Sequence, residues 1–75
     1  MISYRNLSGH SGVSEYVTGK DFIRVRFVRS WTIYRYTYEN SGPMHVEEMK
    51  RCAVAGRGLS TYIAENKSDL QPDRE

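Results

Sequence analysis

Residues 21–39 read DFIRVRFVRSWTIYRYTYE, with four arginines and six aromatic side chains in two strand-like alternations. Ile23, Val25 and Phe27 project to one side of an extended chain and Arg24 and Arg26 to the other, the period of two of a strand with one buried face. Trp31 to Tyr38 alternates in the same way. A two-residue turn at Arg29 and Ser30 sets Val25 opposite Tyr34, Ile23 opposite Tyr36 and Phe27 opposite Thr32, so both apolar sets share one face. The other face carries Phe22, Arg24, Arg26 and Val28 against Trp31, Ile33, Arg35 and Thr37. Arg24 then stands directly across from Arg35. Like charges in that position weaken a sheet by roughly 0.2 kcal/mol or more. Stability alone does not ask for the pair, so an anionic partner between the guanidinium groups is the functional reading. Solvated arginines with stems lying over Trp31 are the plain structural one.

The flanking sequence extends this hairpin in both directions. Val13 to Thr18 alternates as a strand, with Val13 and Tyr16 or Val17 available for burial, and Gly19-Lys20-Asp21 turns it into the hairpin. Residues 1–11 alternate weakly at Ile2 and Tyr4 before a Ser/Gly loop and read as an N-terminal extension or edge strand. Asn40-Ser41-Gly42-Pro43 stops the sheet and opens a helix over Pro43–Ala55, with Ser41 as its cap and Pro43 in its first turn. Glu47 and Glu48 lie toward its start and Lys50 and Arg51 toward its end, as the helix dipole prefers. Val46, Met49, Ala53 and either Met44 or Val54 form an apolar stripe that covers the sheet. Gly56-Arg57-Gly58 ends the helix, and Leu59 to Asn66 reads as a short second helix with Leu59, Tyr62 and Ile63 inward. The fold class is α+β: a three- or four-stranded antiparallel sheet with one face covered by a main helix and a short C-terminal helix. Residues 12–66 make one domain, and the polar residues 67–75 read as a disordered tail.

Composition narrows the function. Eleven Lys and Arg against nine Asp and Glu give a net charge of +2. The signs are segregated: Lys20 to Tyr36 holds five cations against Asp21, a local +4, while the four acids from Glu65 onward face only Lys67 and Arg74. Such a local field attracts phosphates. The single Cys52 leaves no internal disulfide or cysteine-cluster metal site and fits a reducing, cytoplasmic setting. There is no apolar run of the roughly 20 residues that a membrane span needs, and no apolar secretory core at the amino terminus. His10 and His45 with scattered carboxylates do not form a metal constellation. Glu47 and Glu48, adjacent on a helix, point about 100° apart and do not make an acid and base pair. No cofactor is indicated, and the chain reads as a non-enzyme.

The strand FIRVRF at residues 22–27, the paired tyrosines in Tyr34-Arg35-Tyr36, Pro43 opening a helix, Val46, Met49 and Ala53 along it, and GRGLSTYI at residues 56–63 together resemble the KTSC domain. That small module is named for its occurrence at the carboxyl end of some lysyl-tRNA synthetases and is also found alone. The match runs from about Gly12 to Ile63. This chain has Arg29-Ser30-Trp31 where the family usually has a Gly-containing hairpin. The resemblance implies an RNA-binding role by association with a synthetase and brings no catalytic residues.

Two candidate surfaces follow. Trp31 with Arg24, Arg26 and Arg35 is a stacking and charge surface for RNA or an anionic nucleotide. Arg57 with Ser60 and Thr61 could cradle an anion at the start of the second helix, although a capped helix-to-helix turn accounts for the same letters. Tyr34 and Tyr36 look like a stacking pair for bases, but they share the face of Ile23 and Val25, which favours core tyrosines over ligand contact. The alternative function is a protein-interaction module using Trp31 and Ile33, as a homo-oligomer contact or a grip on another protein. Phage and mobile-element accessory proteins that block or sequester a host component are of this size.

Overall fold

The computed structural model describes residues 1–9 and 11–75. Its elements in chain order are β1 (Ile2–Ser3), β2 (Val13–Thr18), β3 (Phe22–Phe27), β4 (Ile33–Thr37), α1 (Tyr38–Ser41), α2 (Pro43–Ala55), α3 (Leu59–Glu65) and β5 (Asp73–Arg74). The strands form one antiparallel meander in sequence order. The central hairpin has the register that its alternation predicts, with Ile23 opposite Tyr36, Val25 opposite Tyr34 and Arg24 opposite Arg35.

The turn differs from the expected one. Ser30 donates to the Phe27 carbonyl at 3.2 Å, so the reversal is centred on Val28 and Arg29, and Arg29 takes a left-handed φ of 64°. The ladder ends at Arg26 and Ile33, which leaves Thr32 outside it and Trp31 on the connection. On β2, the pairing shifts between Val13 and Glu15. That bulge restores phase, so Val13 and Tyr16, three residues apart, both face the core.

The core lies between the sheet and the helices. Ile23, Val25 and Tyr36 meet Val46, Met49, Cys52 and Ala53 of α2 and Leu59 of α3. Met49 is fully buried, whereas Met44 and Val54 are 86% and 63% exposed. Cys52, not Met44 or Val54, completes the stripe. Lys50 ties α2 to the sheet by donating to the Gly19 and Lys20 carbonyls, each at 3.0 Å, across the β2–β3 turn.

Four further expectations are corrected. Among the described residues the sheet has five strands rather than three or four. The fifth lies in the segment read as a frayed tail, whose Leu70 is only 7% exposed and joins the core. At the other end, of the two alternatives held for residues 1–11 the edge strand is the one formed, by Ile2 and Ser3, and Tyr4 packs edge-on against Tyr16 with ring centroids 6.4 Å apart. Ser41 does not cap α2. It is buried and belongs to α1, an extra turn opened by a capping box in which Thr37 and Asn40 bond each other's backbone amides. Gly42, at φ 93°, separates the two helices. The first turn of α2 holds no acid; Glu47 and Glu48 instead pair with Lys50 and Arg51, three residues on.

Candidate ligand-binding surfaces

Alternation places Glu15, Arg24, Arg26, Ile33 and Arg35 on the face of the sheet away from the helices. The Arg24–Arg35 juxtaposition expected to await an external anion is already filled. Glu75 accepts from Arg24 Nε at Oε2 (3.2 Å) and from Nη2 at Oε1 (2.6 Å), and the same Oε2 lies 3.8 Å from Arg35 Nε. Asp73 accepts from Arg35 at 3.4 Å. Arg26 pairs with Glu15 across the strand, donates to the Ser30 carbonyl at 3.0 Å, and sits 5.9 Å from the Trp31 ring centre. Three cations thus meet three carboxylates, and the basic hairpin is neutral on this face. Trp31 projects from its rim, 93% exposed.

On the helix side, a groove of about 690 Å³ opens where α3 stops short of the hairpin end. Phe27, Tyr34, Ile63 and Pro72 contribute its apolar walls, Ser60 a hydroxyl, and Lys67 and Arg74 its charge. Phe27 and Tyr34 stand edge-to-face with ring centroids 5.6 Å apart, and the Arg74 guanidinium lies 5.7 Å from the Tyr34 ring centre. Among the described residues, no carboxylate pairs with Lys67 or Arg74. Tyr36 reaches the same groove, and burial, helped by Tyr34, pushes its phenol up to about 12. It is a neutral wall at any physiological pH.

The structure therefore divides the expected site residues. Arg24, Arg26, Arg35 and Trp31 share the outer face; Ser60 lies in the groove; Arg57 and Thr61 are exposed and do not line the groove. The turn before α3 is built for chain reversal. Gly56 and Gly58 take left-handed φ values of 78° and 82°, and the Leu59 amide donates to the Tyr4 hydroxyl at 3.3 Å. Tyr4 occupies the donor that an anion there would need first. Lys67 and Arg74 are absent from the candidates read in the sequence, since both lie in the segment taken for a loose tail. Their signal is faint: Leu70 and Pro72 interrupt an otherwise polar run, and Asp73-Arg74-Glu75 alternates in sign with a strand's period.

Burial raises the Cys52 thiol above its ordinary value, seconded by nearby Glu48, which keeps it protonated. Among the described residues, no cluster of three or more His, Cys, Asp and Glu side chains is arranged to hold a metal. His10, weighed as a ligand above, lies outside the described residues. No described helix is long and apolar enough to cross a membrane. Comparisons with family models, with curated proteins and with solved structures return no match.

Proposed function

We propose that this domain is a non-enzymatic binding module for single-stranded RNA or a phosphate-bearing nucleotide, and that the helix-side groove is its site. One observation carries the reading: Lys67 and Arg74 are uncompensated beside the Phe27 and Tyr34 rings, whereas Arg24, Arg26 and Arg35 are matched by carboxylates of the same chain. A base has aromatic faces to stack against, a phosphate has two cations and the Ser60 hydroxyl, and stacking contributes roughly 1–3 kcal/mol per base. The resemblance to the KTSC domain points to the same ligand class. A reducing, cytoplasmic setting fits the single buried Cys52.

The test is a titration of labelled single-stranded RNA and of a panel of nucleotides into the parent chain and into Lys67→Ala, Arg74→Ala and Arg24→Gln. Loss of affinity in the first two with retention in the third is expected. Equal affinity across all four chains would discard the groove. Saturation by mononucleotides, seen as a rise in Tm, separates a nucleotide site from an RNA site.

A protein-interaction role is favoured by a different observation, the exposure of Trp31 beside half-exposed Val28 at the hairpin tip. Trp is among the residues enriched at interface hot spots, and a homo-oligomer contact or a grip on a host protein, as by a phage accessory protein, would use it. Trp31→Ala would then abolish partner capture or lower the oligomeric state while leaving RNA affinity unchanged.

A further inference from the structure

The C-terminal strand covers an edge that would otherwise be open. Only Asp73 and Arg74 are in register with β4, and Ile33 and Glu75 exchange both backbone hydrogen bonds beyond them, at 3.3 and 2.7 Å. Every side chain of β5 is exposed. So short a strand gains little from burial, and besides its backbone pairing and the Arg74 contact with Tyr34 it is held by the carboxylates of Asp73 and Glu75 on Arg35 and Arg24. Asn40 closes the edge further on, with its amide on the Arg35 carbonyl at 3.1 Å and its oxygen accepting from the Thr37 amide. In the other direction the edge leads from Ile33 toward Trp31.

We propose that the β4 edge with Arg24 and Arg35 is a docking site for an extended acidic peptide, and that residues 73–75 are its built-in occupant. The register defines the ligand. Alternate residues of an added strand face the same side, so carboxylates two residues apart occupy the positions of Asp73 and Glu75. A strand continued two residues past the second carboxylate brings its next outward side chain level with Trp31, which calls for an apolar residue there. Arg24 and Arg35, directly opposed, repel each other whenever the edge is bare, so the site favours any strand that supplies both charges. Buried Leu70 and the Gln71 amide on Ser41 Oγ at 3.3 Å anchor the tail only two to three residues away. Tethering so short gives the tail an effective concentration on the order of millimolar, and an external peptide must outcompete it. This inference rests on the outer-face contacts of Asp73 and Glu75 and not on the groove reading, although the two sites share β5: Arg74, which lines the groove, leaves with the tail.

The experiment uses the full chain, a dye-labelled peptide QPDRESL and fluorescence anisotropy. Asp73→Asn combined with Glu75→Gln loosens the tail and is expected to tighten peptide binding about tenfold relative to the parent, and Glu75→Gln alone, a single surface change, to tighten it by a smaller factor. Adding Arg24→Gln to either background should abolish the gain, and the peptide QPRDESL, with adjacent carboxylates, should bind at least several-fold more weakly. Amide shifts at Ile33 and Arg35 on peptide addition would place it on the edge. Equal affinity in the parent and the loosened chains, indifference to Arg24→Gln, or equal binding of the two peptides would overturn the proposal.

Discussion

Met49 and Tyr36 set the residue scale, because each decides whether the sheet and α2 hold together. Met49 is fully buried under Ile23 and Val25, so Met49→Asp leaves an unpaired carboxylate in the core and should unfold the domain, as circular dichroism would record. Tyr36 is 3% exposed, and Tyr36→Ala should cost roughly 3–5 kcal/mol by denaturant titration, the scale for truncating a large core aromatic. Its ionisation gives an independent check. The folded phenol titrates at about 12 against an ordinary 10.0, so the unfolded chain gives up this proton first as pH rises. The stability that Tyr36 contributes is complete below pH 10 and is lost between about pH 10 and 12, up to roughly 2–3 kcal/mol. Tyr36→Phe should flatten that part of the alkaline unfolding curve, and a curve unchanged by the substitution would place the phenol in water.

At the scale of elements, the ion pairs between the hairpin and the tail change what the arginines are expected to do. Arg24 makes a two-point contact with Glu75 and is one-third exposed, whereas Arg35 is half exposed with contacts of 3.4 and 3.8 Å. Arg24→Gln should therefore lower stability by about 0.5–1 kcal/mol, a fall of roughly 2–8 °C in Tm for a domain of this size. Arg35→Gln removes the weaker contacts together with the Arg24 repulsion and should leave Tm nearly unchanged. The asymmetry is invisible in the sequence, where both arginines occupy equivalent alternating positions. What alternation does encode is the register of β3 on β4 and, with Pro43 and Gly56 as stops, the bounds of α2. It does not encode β5, since two residues carry no period and their pairing depends on Leu70 finding the core 33 residues after the end of β4. Nor does it encode α1, whose Thr37 and Asn40 box hides at the end of a run of strand-forming tyrosines. The groove was illegible for the same reason: Phe27, Tyr34, Ser60, Lys67 and Arg74 come together only through tertiary folding.

For the whole molecule, net charge is a poor guide to where an anion would bind, and the distribution of uncompensated charge is a better one. The hairpin that carries +4 in sequence is cancelled on its outer face by Glu15, Asp73 and Glu75, while the net-acidic segment after α3 leaves Lys67 and Arg74 without a carboxylate partner, among the described residues, at an aromatic groove. RNA binding at the groove would displace counterions from about two phosphates, and on single strands each phosphate contributes about 0.7 to the slope of log affinity against log salt. The parent chain should accordingly show a slope near −1.4, measured by anisotropy across a series of potassium chloride concentrations, and Lys67→Ala should reduce its magnitude by about 0.7. Arg24→Gln should leave the slope unchanged, because that guanidinium is already paired with Glu75. A slope that falls with Arg24→Gln and not with Lys67→Ala would mean that RNA displaces the tail and uses the outer face, and the groove would then be a packing defect between α3 and the hairpin.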